Sequence, residues 1–331
     1  MPKVSFTIAG ISVSASSADE KVVSEFRQDF ALLATAAPAA ESDINLRITL
    51  AQPPLAVKRT LDRLFPFKNG LRLRDFGDRR LISYPEGACL LYNYRKECGF
   101  LWTEHYHLAR ELSYLCALSR SGFLLDLKGL HRVHAAAVRL NGRTALICGP
   151  SGVGKSTLAL LLAMDHTAAL YSDDFPLANA GGAIFAFPAR PAIGEDNYLS
   201  ARSLPARTME RRKYGKKLLL EQPGTQIPEP AQIDFLILLS KRHAATAELA
   251  PACKMAGQAT LLKNLVLGLG LPQIVELLLS FSPRQNLRLL KIAFLRALTA
   301  WRLAGRARCY RLTGSTSPEE AARLLAELLK K

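Results

Sequence analysis

Gly149-Pro150-Ser151-Gly152-Val153-Gly154-Lys155-Ser156-Thr157 spells G-x-x-x-x-G-K-[ST], the P-loop pattern. Glycines at 149, 152 and 154 admit backbone angles that a Cβ would penalise, so successive N–H groups can turn inward onto phosphate oxygens. Lys155 carries a cation to the β and γ phosphates. Ser156 offers a hydroxyl to Mg2+, and a helix from Thr157 to Met164 aims its positive end at the same anion. The flanks agree: Thr144-Ala145-Leu146-Ile147-Cys148 reads as a buried strand, and Leu158 to Ala163 as a helix former. Residues 149 to 157 are therefore expected to hold the phosphates of a nucleotide, ATP.

Upstream, His134 to Leu140, Asn141-Gly142 and Arg143 to Ile147 read as strand, two-residue turn and strand. The strand feeding the loop then pairs antiparallel with its predecessor, so the sheet is expected to be mixed rather than fully parallel. Downstream, Ala168 to Tyr171 is a short strand delivering Ser172-Asp173-Asp174 about one helix after the loop. Phosphoryl transfer needs the metal-bound phosphates neutralised and the attacking hydroxyl oriented or deprotonated, and two carboxylates can divide those tasks. An arginine-rich segment at Arg202 to Lys217 could imitate the lid of a small-molecule kinase. The L-S-G-G-Q segment of transporter ATPases and the N-K-x-D guanine reader of GTPases are absent.

The remaining chain divides near residue 130. Residues 1–129 read as a small α+β domain with a substrate-recognition or regulatory role. Val4 to Ala9 and Ile11 to Ser14 form a hairpin about Gly10, and Asp19 opens a helix bearing Val22, Val23, Phe26, Phe30 and Leu33. An Ala-rich loop covers residues 35 to 42. Ile44 to Leu50 is a strand, Leu71 to Trp102 gives three more, and a helix runs from about Glu104 to Leu118. Residues 130–331 form the P-loop domain, with a loop-rich basic segment at 196 to 231, a core strand at Ile233 to Leu239 and helices over 258 to 305. Tyr310 to Leu312 is a last strand, and a closing helix is capped by Ser317.

Two apparent motifs are set aside. Asp75-Phe76-Gly77 imitates the protein-kinase metal motif but lies far upstream of the loop, with no H-R-D before it, and reads as a strand-end turn. His131 and His134, three apart on a strand, face opposite ways and are not expected to share a metal.

Composition narrows the setting. The chain has 331 residues, 49% of them hydrophobic, enough for two folded cores. Six cysteines without a C-x-x-C pair argue for neither zinc nor disulfides, and no signal or spanning segment is seen, so a cytoplasmic protein with no membrane partner is expected. The net charge is +16. Basic residues cluster at 202–217 and 284–311 with few aromatics between them, which favours an acidic protein or peptide partner over nucleic acid and leaves a solvated basic surface as the alternative.

Taken together, His134, the Asn-Gly hairpin, residues 149 to 157 and Ser172-Asp173-Asp174 resemble the catalytic domain of HPr kinase/phosphorylase, enzymes that phosphorylate a serine of a carrier protein. The resemblance covers about Leu130 to Leu177. It implies an α/β P-loop kinase domain with a mixed sheet, close to phosphoenolpyruvate carboxykinase. It also implies that Asp173 is the base on the acceptor serine, that Asp174 and Ser156 hold Mg2+, and that His134 and Lys155 complete the catalytic group. The bifunctional members carry a glycine-rich stretch with Arg-Gly after the aspartates; here Ala186-Phe187-Pro188-Ala189-Arg190-Pro191 stands instead, and the N-terminal half differs. The chain is thus more similar to divergent members related to HPr kinase, some of which belong to peptide-modification pathways and phosphorylate a serine on a precursor peptide. Arg190 reads either as a further phosphate contact or as a structural arginine beside prolines. The expected activity is an ATP- and Mg2+-dependent serine kinase. A kinase of a small hydroxylated metabolite and a non-catalytic nucleotide-binding module remain alternatives, and homo-oligomers stay open.

Overall fold

The structure, a computed structural model, describes the chain apart from residues 34–41, 62, 68, 188–190, 195–196, 198, 200–205, 212–214, 221–227, 245, 267–282, 316 and 331. It is a mixed α/β protein of two compact units. Met1–Leu125 groups with Pro272–Leu289, and Asp126–Leu271 with Leu290–Lys331. The expected division at residue 129 thus falls four residues after the observed one, and residues 272–289 group with the first unit.

In the first unit the strands are β1 (Lys3–Ile8), β2 (Ile11–Ser17), β3 (Ile44–Thr49), β4 (Phe65–Pro66), β5 (Arg72–Phe76), β6 (Arg79–Tyr84), β7 (Ala88–Asn93) and β8 (Cys98–Thr103), with helices α1 (Glu20–Asp29), α2 (Leu55–Leu61) and α3 (Tyr106–Leu127, whose last two residues group with the second unit). They form one mixed sheet in the order β1-β2-β3-β8-β7-β6-β5-β4. The first hairpin turns on Ala9 and Gly10, both at positive φ. The Asp19 carboxylate caps α1, accepting from the amides of Lys21 and Val22. Phe6, Phe26, Phe30 and Tyr114 then stack into the core, Phe6 on Phe30 at 4.0 Å between ring centroids.

Three expectations change here. Leu71 to Trp102 gives four strands, because Tyr94 to Glu97 makes a further turn with Glu97 at positive φ. Helix α3 continues nine residues past Leu118, and α2 appears where no element was expected. The Ala-rich loop lies, apart from residue 42, outside the described residues. Asp75 pairs with the buried Arg80 at 2.5 Å, so Asp75-Phe76-Gly77 is the strand-end turn expected.

The second unit contains β9 (His131–Arg132), β10 (Ala135–Leu140), β11 (Arg143–Cys148), β12 (Ala169–Ser172), β13 (Leu177–Ala178), β14 (Ala183–Phe185), β15 (Ala192–Gly194), β16 (Ala206–Arg211), β17 (Gly215–Leu220), β18 (Ala231–Gln232), β19 (Phe235–Ala244), β20 (Glu248–Pro251) and β21 (Arg308–Ser315). Its helices are α4 (Lys155–Asp165), α5 (Lys254–Leu265), α6 (Pro283–Arg306, whose first residues group with the first unit) and α7 (Pro318–Leu328). The central sheet runs β12-β10-β11-β19-β21-β20. Strands β10 and β11 are antiparallel about Asn141-Gly142, both at positive φ, while β11, β19 and β21 are parallel, so the sheet is mixed as expected.

Alternation along β10 and β11 sends Ala136, Val138, Ala145 and Ile147 to one face, under α4 and α7. Ala135, Ala137, Leu146 and Cys148 go to the other, under α5 and the end of α6. The segment expected to be loop-rich contains an antiparallel pair, β16 with β17, in a separate sheet with β15. Most side chains of the basic run Arg202 to Lys217, Arg190, and part of the helical expectation over 258 to 305 lie outside the described residues. The Ser317 hydroxyl caps α7 with Pro318 at the first position, as the sequence indicates. No described helix is long and apolar enough to cross a membrane.

Candidate active site

Sheet order assembles the site. Because β10 runs antiparallel to both neighbours, its beginning lies beside the ends of β11 and β12: Ala135 is opposite Cys148, and Ala137 opposite Ser172. His134, just before β10, therefore shares one edge of the sheet with the loop following Cys148 and with the turn following Ser172. Sequence reasoning placed each motif on its strand but could not place β12 beside β10.

The loop has the geometry of an anion cradle. Gly152 and Gly154 have φ of 73° and 99°, values that favour glycine. Gly149 is needed for a different reason: a Cβ there would stand 2.7 Å from the Leu239 carbonyl oxygen on β19. Gly154 is the N-cap of α4 and has no side chain to bond the first-turn amides, leaving them for an acceptor outside the helix. Lys155 is buried, and its ammonium donates to the carbonyls of Gly149 at 3.0 Å and Pro150 at 3.1 Å. Burial pulls its pKa below the ordinary lysine value, with Asp174, then Cys148 and Asp173, acting in opposition.

The aspartate turn is held from several directions. Ser172 Oγ accepts from the amides of Asp174 and Phe175, and the Asp174 carbonyl accepts from the Ala135 amide at 3.0 Å. Ser156 Oγ donates to the Asp173 carbonyl at 3.2 Å, joining the first turn of α4 to this turn. Asp173 is only 6% exposed, whereas the Asp174 side chain is 38% exposed. His134 Nε2 lies 3.5 Å from Asp174 Oδ1, an ion-pair distance. His131 turns away to Asp126, Nδ1 to Oδ1 at 2.8 Å, so the two histidines have different partners.

Residues the sequence reading passed over fix the position of His134. Its amide donates to the Asn264 carbonyl at the end of α5, at 3.3 Å. The adjacent Leu265 carbonyl accepts from Arg296 on α6 at 3.0 Å, and Arg296 grips the buried Asp126 carboxylate through Nε at 2.9 Å and a second nitrogen at 2.5 Å. Burial alone would raise the Asp126 carboxyl, but the bonds from His131 and Arg296 hold it below the ordinary range. No local pattern marks this clasp, because its members are separated by up to 170 residues. Cys148, at the entry to the loop, is pushed up to about 12 by burial, which favours the neutral thiol.

The residues present suit a nucleotide with a hard cation. Among the described residues no three His, Cys, Asp or Glu side chains converge as a self-sufficient metal cage. Mg2+ bound with a polyphosphate needs only one or two protein ligands beside phosphate and water. Ser156 and the aspartate turn can supply them. No protein-family model matches the chain, and no curated protein sequence matches it.

Proposed function

We propose that this chain is an ATP- and Mg2+-dependent kinase that transfers a phosphoryl group to a serine hydroxyl of a protein or peptide, on a P-loop domain of the HPr kinase and phosphoenolpyruvate carboxykinase type. The observation that carries this reading is the joining of the loop's helix to the aspartate turn, Ser156 Oγ to the Asp173 carbonyl, with Asp174 and Asp173 within electrostatic reach of Lys155 and His134 against Asp174. A phosphate-binding loop alone holds a nucleotide. Adding two carboxylates equips it for transfer.

In this reading the loop amides and Lys155 stabilise the negative charge of the transferring group. ATP supplies the phosphoryl group; Ser156 and Asp174 would hold Mg2+, whose charge would neutralise the phosphates. Asp173 takes the proton of the acceptor hydroxyl as the serine oxygen bonds to phosphorus and the bond to ADP breaks. His134 steadies Asp174. The difference in exposure supports one variant, in which the more open Asp174, backed by His134, is the base and the buried Asp173 holds the metal.

Asp173→Asn should abolish transfer from γ-labelled ATP while ATP still binds; retained transfer in that variant rules out Asp173 as the base. In the exchanged variant Asp174→Asn abolishes transfer, and Asp173→Asn raises the Mg2+ requirement instead. Label appearing only on a soluble compound would favour the metabolite kinase. ATP binding without consumption, with every acceptor tried, would leave a nucleotide-binding module.

A further inference from the structure

Helix α6 presents more apolar surface to water than any core requirement explains. Ile292, Arg296, Thr299, Ala300, Leu303 and Ala304 are its buried face. Leu287, Leu290, Phe294 and Trp301 are 69%, 68%, 68% and 61% exposed. At 3.6 residues per turn these four fall within a sector of about 60°, so they form one stripe along the helix. Arg288, Lys291 and Arg302, also exposed, occupy the sector beside it. Residues 283–306 include no Asp or Glu.

A long convex stripe of Leu, Phe and Trp bordered by a row of cations is the arrangement with which a helix lies in a membrane interface. The apolar side chains enter the headgroup and acyl boundary while Lys and Arg extend to the phosphates. A second copy laid antiparallel along the same stripe would press two cationic rows together. An anionic bilayer answers both rows at once, giving apolar depth to one and phosphate to the other.

We infer that α6 docks this protein on an anionic lipid surface, with Leu290, Phe294 and Trp301 inserted and Arg288, Lys291 and Arg302 at the level of the lipid phosphates. This departs from the expectation of no membrane partner, which considered only spanning segments. It is independent of the kinase reading, since binding is measured without nucleotide.

The chain has two tryptophans, so Trp102→Phe leaves Trp301 as the reporter. With vesicles of phosphatidylcholine and phosphatidylglycerol, Trp301 emission should shift to the blue and the protein should co-sediment, with little effect from phosphatidylcholine alone. Leu290→Ser with Phe294→Ser should weaken vesicle binding by about tenfold or more. Lys291→Glu with Arg302→Glu should weaken it by a similar factor. These positions are exposed, and an unchanged circular dichroism spectrum and melting temperature would show that the fold survives. The inference fails if the anionic vesicles leave Trp301 unshifted, or if the stripe variants bind as tightly as the parent. It also fails if Trp301 is already blue-shifted in a dimer that Phe294→Ser dissociates, or if an acidic peptide shifts it and vesicles do not.

Discussion

Lys155 is buried with its ammonium donating to the Gly149 and Pro150 carbonyls, and burial holds its pKa below the usual lysine value. Phosphates arriving beside it favour the charged form, so nucleotide binding should take up a proton once the pH exceeds the depressed pKa of the free protein. ATP affinity is then flat below that pKa and falls above it, at a pH lower than the ordinary lysine value of about 10.4. Calorimetry in buffers of different ionisation enthalpy measures the proton uptake directly, and Lys155→Met should remove it. A second test concerns space. Gly149→Ala forces a Cβ onto the Leu239 carbonyl, which is backbone and cannot swing aside. A loss of about 1–3 kcal/mol in urea denaturation is expected, together with weaker ATP binding as the loop is displaced.

At the scale of elements, the Asp126–Arg296 clasp ties the end of α3, the end of α5, α6 and β9 around the segment that carries His134 into β10. Arg296→Met leaves a buried carboxylate without its cation and should cost about 3–5 kcal/mol. Adding Asp126→Leu should recover only part of that, because His131 and the buried Arg132 then lose the carboxylate they face. The folded pKa of Asp126 lies below its unfolded value of about 3.9, so the stabilisation is complete above the unfolded value and is lost as pH falls through the folded one. In Arg296→Met the acid limb of a stability profile should therefore move to higher pH.

At the scale of the whole molecule, a net charge of +16 surrounds the site with a field that attracts anions. For an acidic peptide acceptor, kcat/KM should fall steeply with added salt while kcat changes little, because screening acts on encounter. A salt-insensitive kcat/KM would mean that the charge serves something else. The hairpin at Asn141-Gly142, the loop glycines, the cap at Asp19 and the cap at Ser317 were legible because each is a local bargain between a residue type and the backbone angle or hydrogen bond beside it. The turn at Tyr94 to Glu97 was missed because it lacks Gly and Pro, and the extension of α3 because Ser119-Arg120-Ser121-Gly122 carries the residue types of a helix stop, which the burial of Phe123 and Leu125 beyond it overrides. By itself the sequence determined a P-loop on a strand–loop–helix unit, an antiparallel hairpin feeding it and a pair of acids one helix later. Only the tertiary structure decided that β12 lies against β10, which brings His134 and Asp174 together, and that Arg296 reaches Asp126 across the chain. Those contacts depend on strand order and burial, which are settled by the joint packing of distant segments and leave no mark at any one position.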